Sequence, residues 1–264
     1  MRLRHRSDIM AARRIVVKVG SSSITGINAA HIDLLIDALA GAHGRGAQVI
    51  LVSSGAIATG LPYLQLDERP TDLATQQAAA SVGQSRLIVR YQIALDRHRI
   101  TAGQVLLTAG DLDNPAHRVN ARRAMDRLLA LRILPIVNEN DTVATHEIRF
   151  GDNDRLAALV TQLVDADLLV LLSDIDALYT RPPHLSGAQR IPEVPYGDLL
   201  AGIEFGSIGD AGVGTGGAET KFSAARIAAD AGVAVLITET SRVAEALRGG
   251  DGGTWFMPNP TRRA

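Results

Sequence analysis

The feature that most constrains this chain is a repeated change of period. Short β-branched runs, apolar throughout, alternate with longer stretches whose apolar residues recur three and four positions apart. Strands are expected at Arg14–Val19, Ala47–Val52, Ile100–Leu106, Ile133–Val137, Leu168–Leu172 and Ala234–Ile237. Helices are expected at about Ala29–His43, Thr71–Arg97, Ala116–Leu131, Asn153–Val164 and Ala218–Ala231. A strand with no polar alternation must be covered on both faces, and a helix between successive strands supplies that cover. The order therefore predicts an α/β fold: a three-layer, doubly wound, mainly parallel sheet with right-handed crossovers.

Composition narrows the function classes. With 46% hydrophobic and 21% charged residues over 264 positions, the chain has ample material for a core and is not disordered. A net charge of −1 and 3% aromatic residues give no support for a nucleic-acid partner. The absence of cysteine excludes disulfides, thiolate catalysis and cysteine-bound zinc. No stretch approaches transmembrane length and no signal-peptide core precedes Arg14, so no membrane partner is expected and cytoplasmic is the default location. The arginine-rich arm, residues 1–13, reads as a frayed or misassigned start, with Met10 an alternative initiator and anion binding the competing role. A polar hairpin is expected at Thr142–Phe150. Loops and short elements over the sheet edge are expected at Arg181–Gly217, the most mobile part of the chain.

The chemistry gathers at strand ends, where open α/β sheets hold their ligands. Asn138-Glu139-Asn140-Asp141 follows one apolar run, and Gly151-Asp152-Asn153-Asp154 opens the helix carrying Leu156, Leu159, Val160, Leu163 and Val164. Carboxylates and amides so placed can grip an ammonium group, a metal or the polar end of an amino acid. Lys18-Val19-Gly20-Ser21-Ser22-Ser23 offers a cation and backbone N–H groups to a phosphate, yet it is no Walker A loop and equally fits an ordinary turn. Ser53-Ser54-Gly55 places small residues after the second strand, without the Gly-x-Ser-x-Gly context of a serine nucleophile. Gly212 to Lys221 is a glycine run closing on a lysine at a helix start, which suits an anion or, more blandly, a linker. Ser173-Asp174-Ile175-Asp176 suits a nucleotide's base and ribose but is nearly uninformative alone. The seven histidines show no metal-ligand spacing. Two distant lysines with glycine loops, beside a carboxylate–amide cluster, together suit phosphoryl transfer to a small zwitterion or acid.

Ordered motifs carry a resemblance. Val-Lys-Val-Gly-Ser, Val-Ser-Ser-Gly-Ala-Ile-Ala-Thr-Gly, Ala-Ser-Val-Gly-Gln-Ser-Arg-Leu and Val-Asn-Glu-Asn-Asp are followed by Gly-Asp-Asn-Asp, Ser-Asp-Ile-Asp-Ala-Leu-Tyr-Thr and Gly-Thr-Gly-Gly-Ala-Glu-Thr-Lys segments. The chain resembles the glutamate 5-kinases of the amino acid kinase family from about Arg14 to Phe256. The resemblance implies a kinase domain over 14–258, without the RNA-binding-like C-terminal domain of many members. It implies transfer of a phosphoryl group from ATP, with Mg²⁺ on its phosphates, to the side-chain carboxylate of L-glutamate, the first step of proline biosynthesis. Lys18 and Lys221 would neutralise the moving phosphoryl group and Asp154 would organise both. Ser54, Asp141 and Asn153, assisted by Asn138 and Asp152, would hold glutamate. Lys18, Gly20, Ser173, Asp174, Thr215, Gly216, Gly217, Ala218, Glu219, Thr220 and Lys221 would hold the nucleotide. Proline as feedback inhibitor and a homo-oligomer, dimer or tetramer, are also implied.

Two departures from the family stand out: Ala177 occupies a place where glycine is expected, costly if that backbone needs positive φ, and, larger, the RNA-binding-like C-terminal domain is missing; Ser173 for threonine is mild. The competing readings are another kinase of the family, acting on carbamate, acetylglutamate or a nucleoside monophosphate, and a non-catalytic sensor of proline or nucleotide.

Overall fold

The structure, a computed structural model, describes residues 3–144, 153–201, 203 and 217–262. Its strands are β1 (Arg14–Val19), β2 (Gln48–Ser53), β3 (Ala102–Leu107), β4 (Leu134–Glu139), β5 (Leu168–Ser173), β6 (Leu178–Tyr179), β7 (Arg190–Ile191), β8 (Glu193–Val194), β9 (Ala234–Glu239) and β10 (Thr254–Phe256). The helices are α1 (His31–Gly44), α2 (Ala56–Gly60), α3 (Leu73–Asp96), α4 (Ala109–Asp113), α5 (Pro115–Ala130), α6 (Asn153–Leu163), α7 (Ala218–Asp230) and α8 (Val243–Ala246). Every expected strand and helix forms, with ends within two residues of the expected ones.

Among the described residues, eight strands form one sheet in the order β3-β4-β2-β1-β5-β9-β10-β8. All pairs are parallel except β9 with β10, which run antiparallel. Successive residues face opposite layers, as pleating requires. Val17, Leu51, Leu168 and Val170 pack with α1 and α3 on one face. Val16, Ile50, Val52, Leu169 and Leu171 pack with α5, α6 and α7 on the other. This is the three-layer, doubly wound α/β fold.

Caps fix several helix starts. Asp72 accepts from the Thr75 N–H ahead of α3, and Asn114 accepts from the N–H groups of Ala116 and His117, with Pro115 opening α5. The crossing of α2 and α3 rests on two glycines. A Cβ added at Gly60 would lie 1.9 Å from the Ala79 carbonyl oxygen, and one at Gly83 1.8 Å from that of Ala56. The close crossing holds α2, and the Ser53-Ser54-Gly55 turn before it, against α3.

The amino-terminal arm differs from its expected frayed state. Residues Arg6–Ala11 form a 3₁₀ helix, and Leu3 and Ile9 are buried in the α1–α3 core. The Arg6 guanidinium donates to the carbonyls of Gly252 (2.7 Å) and Gly253 (2.9 Å), and to that of Pro192. Two apolar anchors and one fork-shaped donor thus stitch the arm to the loops around β8 and β10. In the Arg181–Gly217 region, β7 and β8 are formed and β8 extends the sheet beside β10; residues 204–216 lie outside the described set. The hairpin expected at Thr142–Phe150 also falls mostly outside it. Among the described residues, no helix is long and apolar enough to cross a membrane.

Candidate active site

Lys18 shares the parity of Val16 on β1, so its side chain enters the layer of α6 and α7. There its Nζ lies 2.6 Å from Asp154 Oδ1 in the first turn of α6. Lys221, in the first turn of α7, places Nζ 3.5 Å from the other carboxylate oxygen, which also accepts a 3.0 Å hydrogen bond from the Thr220 hydroxyl. All three charged residues are buried: Lys18 is 4% exposed, Lys221 6% and Asp154 0%. Burial, the largest single influence on Asp154, favours its neutral form. The two ammonium groups and the hydrogen bonds from Lys18 and Thr220 outweigh it and hold the carboxyl below its ordinary value. Burial likewise pulls the Lys221 ammonium down, against the attraction of Asp154. Two buried ammonium groups thus converge on one carboxylate, and the charge of Asp174 also acts on Lys221. Cations so placed suit an anionic ligand.

Asn153, immediately before Asp154, faces a different group. Its Nδ2 donates to the Ser53 carbonyl (2.9 Å), to Ser54 Oγ (3.1 Å) and to Asn138 Oδ1 (2.9 Å). The ends of β2 and β4 and the start of α6 therefore meet at one polar pocket. Gly55 permits the meeting: its φ of +97° is the left-handed region, and a Cβ there would lie 3.2 Å from Thr25 Cγ2. The Ser54 N–H donates to the Val19 carbonyl (3.1 Å) and ties the pocket to the end of β1. One helical turn thus serves both clusters, through Asn153 and Asp154.

The remaining expected site residues take several places. Gly20 adjoins the lysine, since a Cβ there would stand 3.9 Å from Lys18 Nζ. Ser173 Oγ donates to Asp174 (3.1 Å), its carbonyl accepts from Thr240 (3.1 Å), and the charge of Asp174 acts on Lys221. Gly217 caps α7, whose first residues are Ala218 and Glu219, and the Gly217 carbonyl accepts from Thr220 at 3.0 Å. Among the described residues no hydrogen bond joins Asp141 to Ser54, Asn138 or Asn153. Burial pushes its carboxyl up to about 6, against the field of Arg69. Asp152, Thr215 and Gly216 lie outside the described residues. Ala177 is fully buried and is not among the residues of positive φ, so the backbone does not demand glycine there.

Sequence reasoning missed the residues behind the pocket. Ser53 Oγ is hydrogen-bonded to the buried Tyr91 hydroxyl (2.8 Å), and Asn138 Nδ2 donates to Gln84 Oε1 (3.2 Å). Both partners come from α3. The Ala-Ser-Val-Gly-Gln-Ser-Arg-Leu segment was a visible signal, but nothing in its spacing says what a glutamine reaches across a helix face.

The model of the amino acid kinase family matches residues 13–239. The glutamate 5-kinase of Leifsonia xyli subsp. xyli is 71% identical over 258 residues, 98% of this chain and 96% of that protein. That of Salinispora arenicola is 57% identical over 263 residues, 98% of this chain and 71% of that protein. A carbamate kinase from Giardia lamblia bound to AMP-PNP shares the fold, with a TM-score of 0.66 at 15% identity over 95% of this chain and 100% of that one. On its sequence and its sheet alike, the chain belongs to the amino acid kinase family, in the branch of the glutamate 5-kinases.

Proposed function

We propose that this protein phosphorylates the side-chain carboxylate of L-glutamate with ATP, giving L-glutamyl 5-phosphate and ADP. The observation that carries this reading is the pairing of an anion-seeking cluster, Lys18–Asp154–Lys221, with a polar pocket, Ser54–Asn138–Asn153, on consecutive residues of one helical turn. The relatives at 71% and 57% identity bear the same name as this activity.

The chemistry asks little of an acid or base. A carboxylate oxygen attacks the γ-phosphorus, the bond to the β-γ bridging oxygen breaks, and ADP leaves with that oxygen; no proton needs to be moved. Lys18 and Lys221 neutralise charge on the transferring group, and Asp154 holds the two ammonium groups in place. Two buried ammonium groups in one cluster fit a polyphosphate. Gly20, Ser173, Asp174, Gly217, Ala218, Glu219 and Thr220 would line the nucleotide's path, with Thr215 and Gly216. Mg²⁺ would come with the nucleotide and screen its phosphate oxygens. Ser54, Asn138, Asn153, Asp141 and Asp152 would hold glutamate. Proline inhibition, assembly into a homo-oligomer and a place at the start of proline biosynthesis belong to the same reading.

A substrate panel tests it. Mg-ATP turnover should be stimulated by L-glutamate and not by carbamate, N-acetylglutamate or a nucleoside monophosphate. Stimulation by one of the others instead would move the chain to a different activity within its family.

A further inference from the structure

Behind the polar pocket runs a chain of amides whose direction is fixed by groups that cannot flip. The Glu139 backbone N–H donates to Asn138 Oδ1 (2.9 Å), so the oxygen of that side chain must face it. The Asn138 Nδ2 is thereby turned toward Gln84 Oε1 (3.2 Å), and Gln84 Nε2 donates to the Glu139 carbonyl (3.2 Å). At the other end Asn138 Oδ1 and the Ser53 carbonyl both accept from Asn153 Nδ2, each at 2.9 Å. Backbone groups of Ser53 and Glu139 therefore set the orientation of all three amides. Gln84 alone presents both polarities needed to close the chain on α3, and the Gly83–Ala56 contact beside it fixes the distance it must span.

The consequence falls on Asn153. Its amide hydrogens are committed to the protein, and among the described residues its Oδ1 has no hydrogen-bond partner. Asn153 can therefore offer a ligand an acceptor and nothing else. The two carboxylates of glutamate are acceptors; only its α-ammonium donates. Resting on the activity proposed above, we infer that Gln84 is a positioning residue that, through Asn138, makes Asn153 a reader of the substrate's free α-amino group. This gives a role to the Gly83-Gln84 pair of α3 and predicts discrimination against five-carbon diacids that lack the amine.

The test compares the wild type with Gln84→Met and Gln84→Glu, reading the KM for glutamate, the KM for Mg-ATP and the inhibition constant of glutarate. Methionine keeps the length but neither polar atom; glutamate at this position keeps the acceptor for Asn138. Gln84 is half-buried and borders a small cavity lined by Ser53, Leu87, Ile88, Tyr91 and Gln104, so either side chain has room. In Gln84→Met the KM for glutamate should rise about tenfold, the worth of one hydrogen bond to a charged group. The glutarate constant and the KM for ATP should stay within about twofold. Gln84→Glu, which keeps the acceptor for Asn138 and loses the donor to the Glu139 carbonyl, should fall between the wild type and Gln84→Met. Equal weakening of glutamate and glutarate, or no change in either, overturns the relay. Should the methionine variant not fold, Gln84→Lys, which donates but cannot accept, reads the same loss. A wild type that does not turn over glutamate overturns the proposed activity and the relay with it; an active wild type with unselective variants overturns the relay alone.

Discussion

Lys18 and Asp154, brought together from β1 and α6, form a 2.6 Å ion pair from which water is almost wholly excluded. Lys221 reaches the other oxygen of the same carboxylate at 3.5 Å, so the three groups act as one buried set. Lys18→Ala or Lys221→Ala should cost about 3–4 kcal/mol of transition-state stabilisation, roughly a hundred- to thousand-fold in rate. Each variant leaves Asp154 one ammonium partner, so stability should fall less than when the carboxylate itself is lost. Turnover near that of the wild type in either purified variant would remove that lysine from the reaction.

Asp154→Asn should behave in the opposite way. It leaves two buried ammonium groups facing each other, and breaking such a set costs about 3–5 kcal/mol. Chemical denaturation should show the loss. A variant as stable as the wild type would mean that one of the lysines has found another counter-charge.

Asp141 gives a pH signature. Its carboxyl is raised from 3.8 to about 6 in the folded protein, so ionisation costs the fold free energy. That cost is absent below the ordinary value, grows between the two and is complete above about pH 6. Asp141→Asn should therefore be more stable than the wild type at pH 7, by about 2 kcal/mol after screening, and no more stable at pH 4. An ammonium ligand needs the ionised form, so kcat/KM for glutamate should fall as pH drops through about 6, and this inflection should vanish in Asp141→Asn. The KM for ATP should not change. An ATP-selective defect would move Asp141 to the nucleotide.

Gly83→Ala tests the close crossing of α2 and α3. Its methyl would meet the Ala56 carbonyl oxygen at 1.8 Å, so the helices must part. Overpacking of this kind costs about 1–3 kcal/mol, and the displaced Ser54 should also raise the KM for glutamate. Unchanged stability would show that the helices separate freely.

Removing residues 1–9 should unseat Leu3 and Ile9 and release Arg6 from three carbonyls. Two buried aliphatic side chains alone are worth about 3–6 kcal/mol. A chain starting at Met10 should unfold at markedly lower denaturant concentration. An equal midpoint would return the arm to the frayed state that its arginines suggest.

Much of this was legible because strands buried on both faces leave an unmistakable record: Leu168–Ser173 is apolar at every position but the last. Lys18, Asp154 and Lys221 were legible as charges at strand and helix ends. Three things were not. β10 is three residues long and runs antiparallel, so the rhythm of strand and helix does not reach it. The arm is held by long-range contacts of single residues, invisible beside its charge. Gln84 and Tyr91 act across helix α3 on groups far away in sequence, and only the crossing set by Gly60 and Gly83 brings them there. The glycine expected at Ala177 is not demanded by the backbone, since Ala177 is not among the residues of positive φ.

The most direct test of the central reading is ADP release from Mg-ATP with and without L-glutamate, in the presence of hydroxylamine. An acyl phosphate is trapped as its hydroxamate. Glutamate-dependent ADP release with an equal amount of hydroxamate is the expected result. ADP release without hydroxamate, or a folded protein that binds ATP and is indifferent to glutamate, would contradict it.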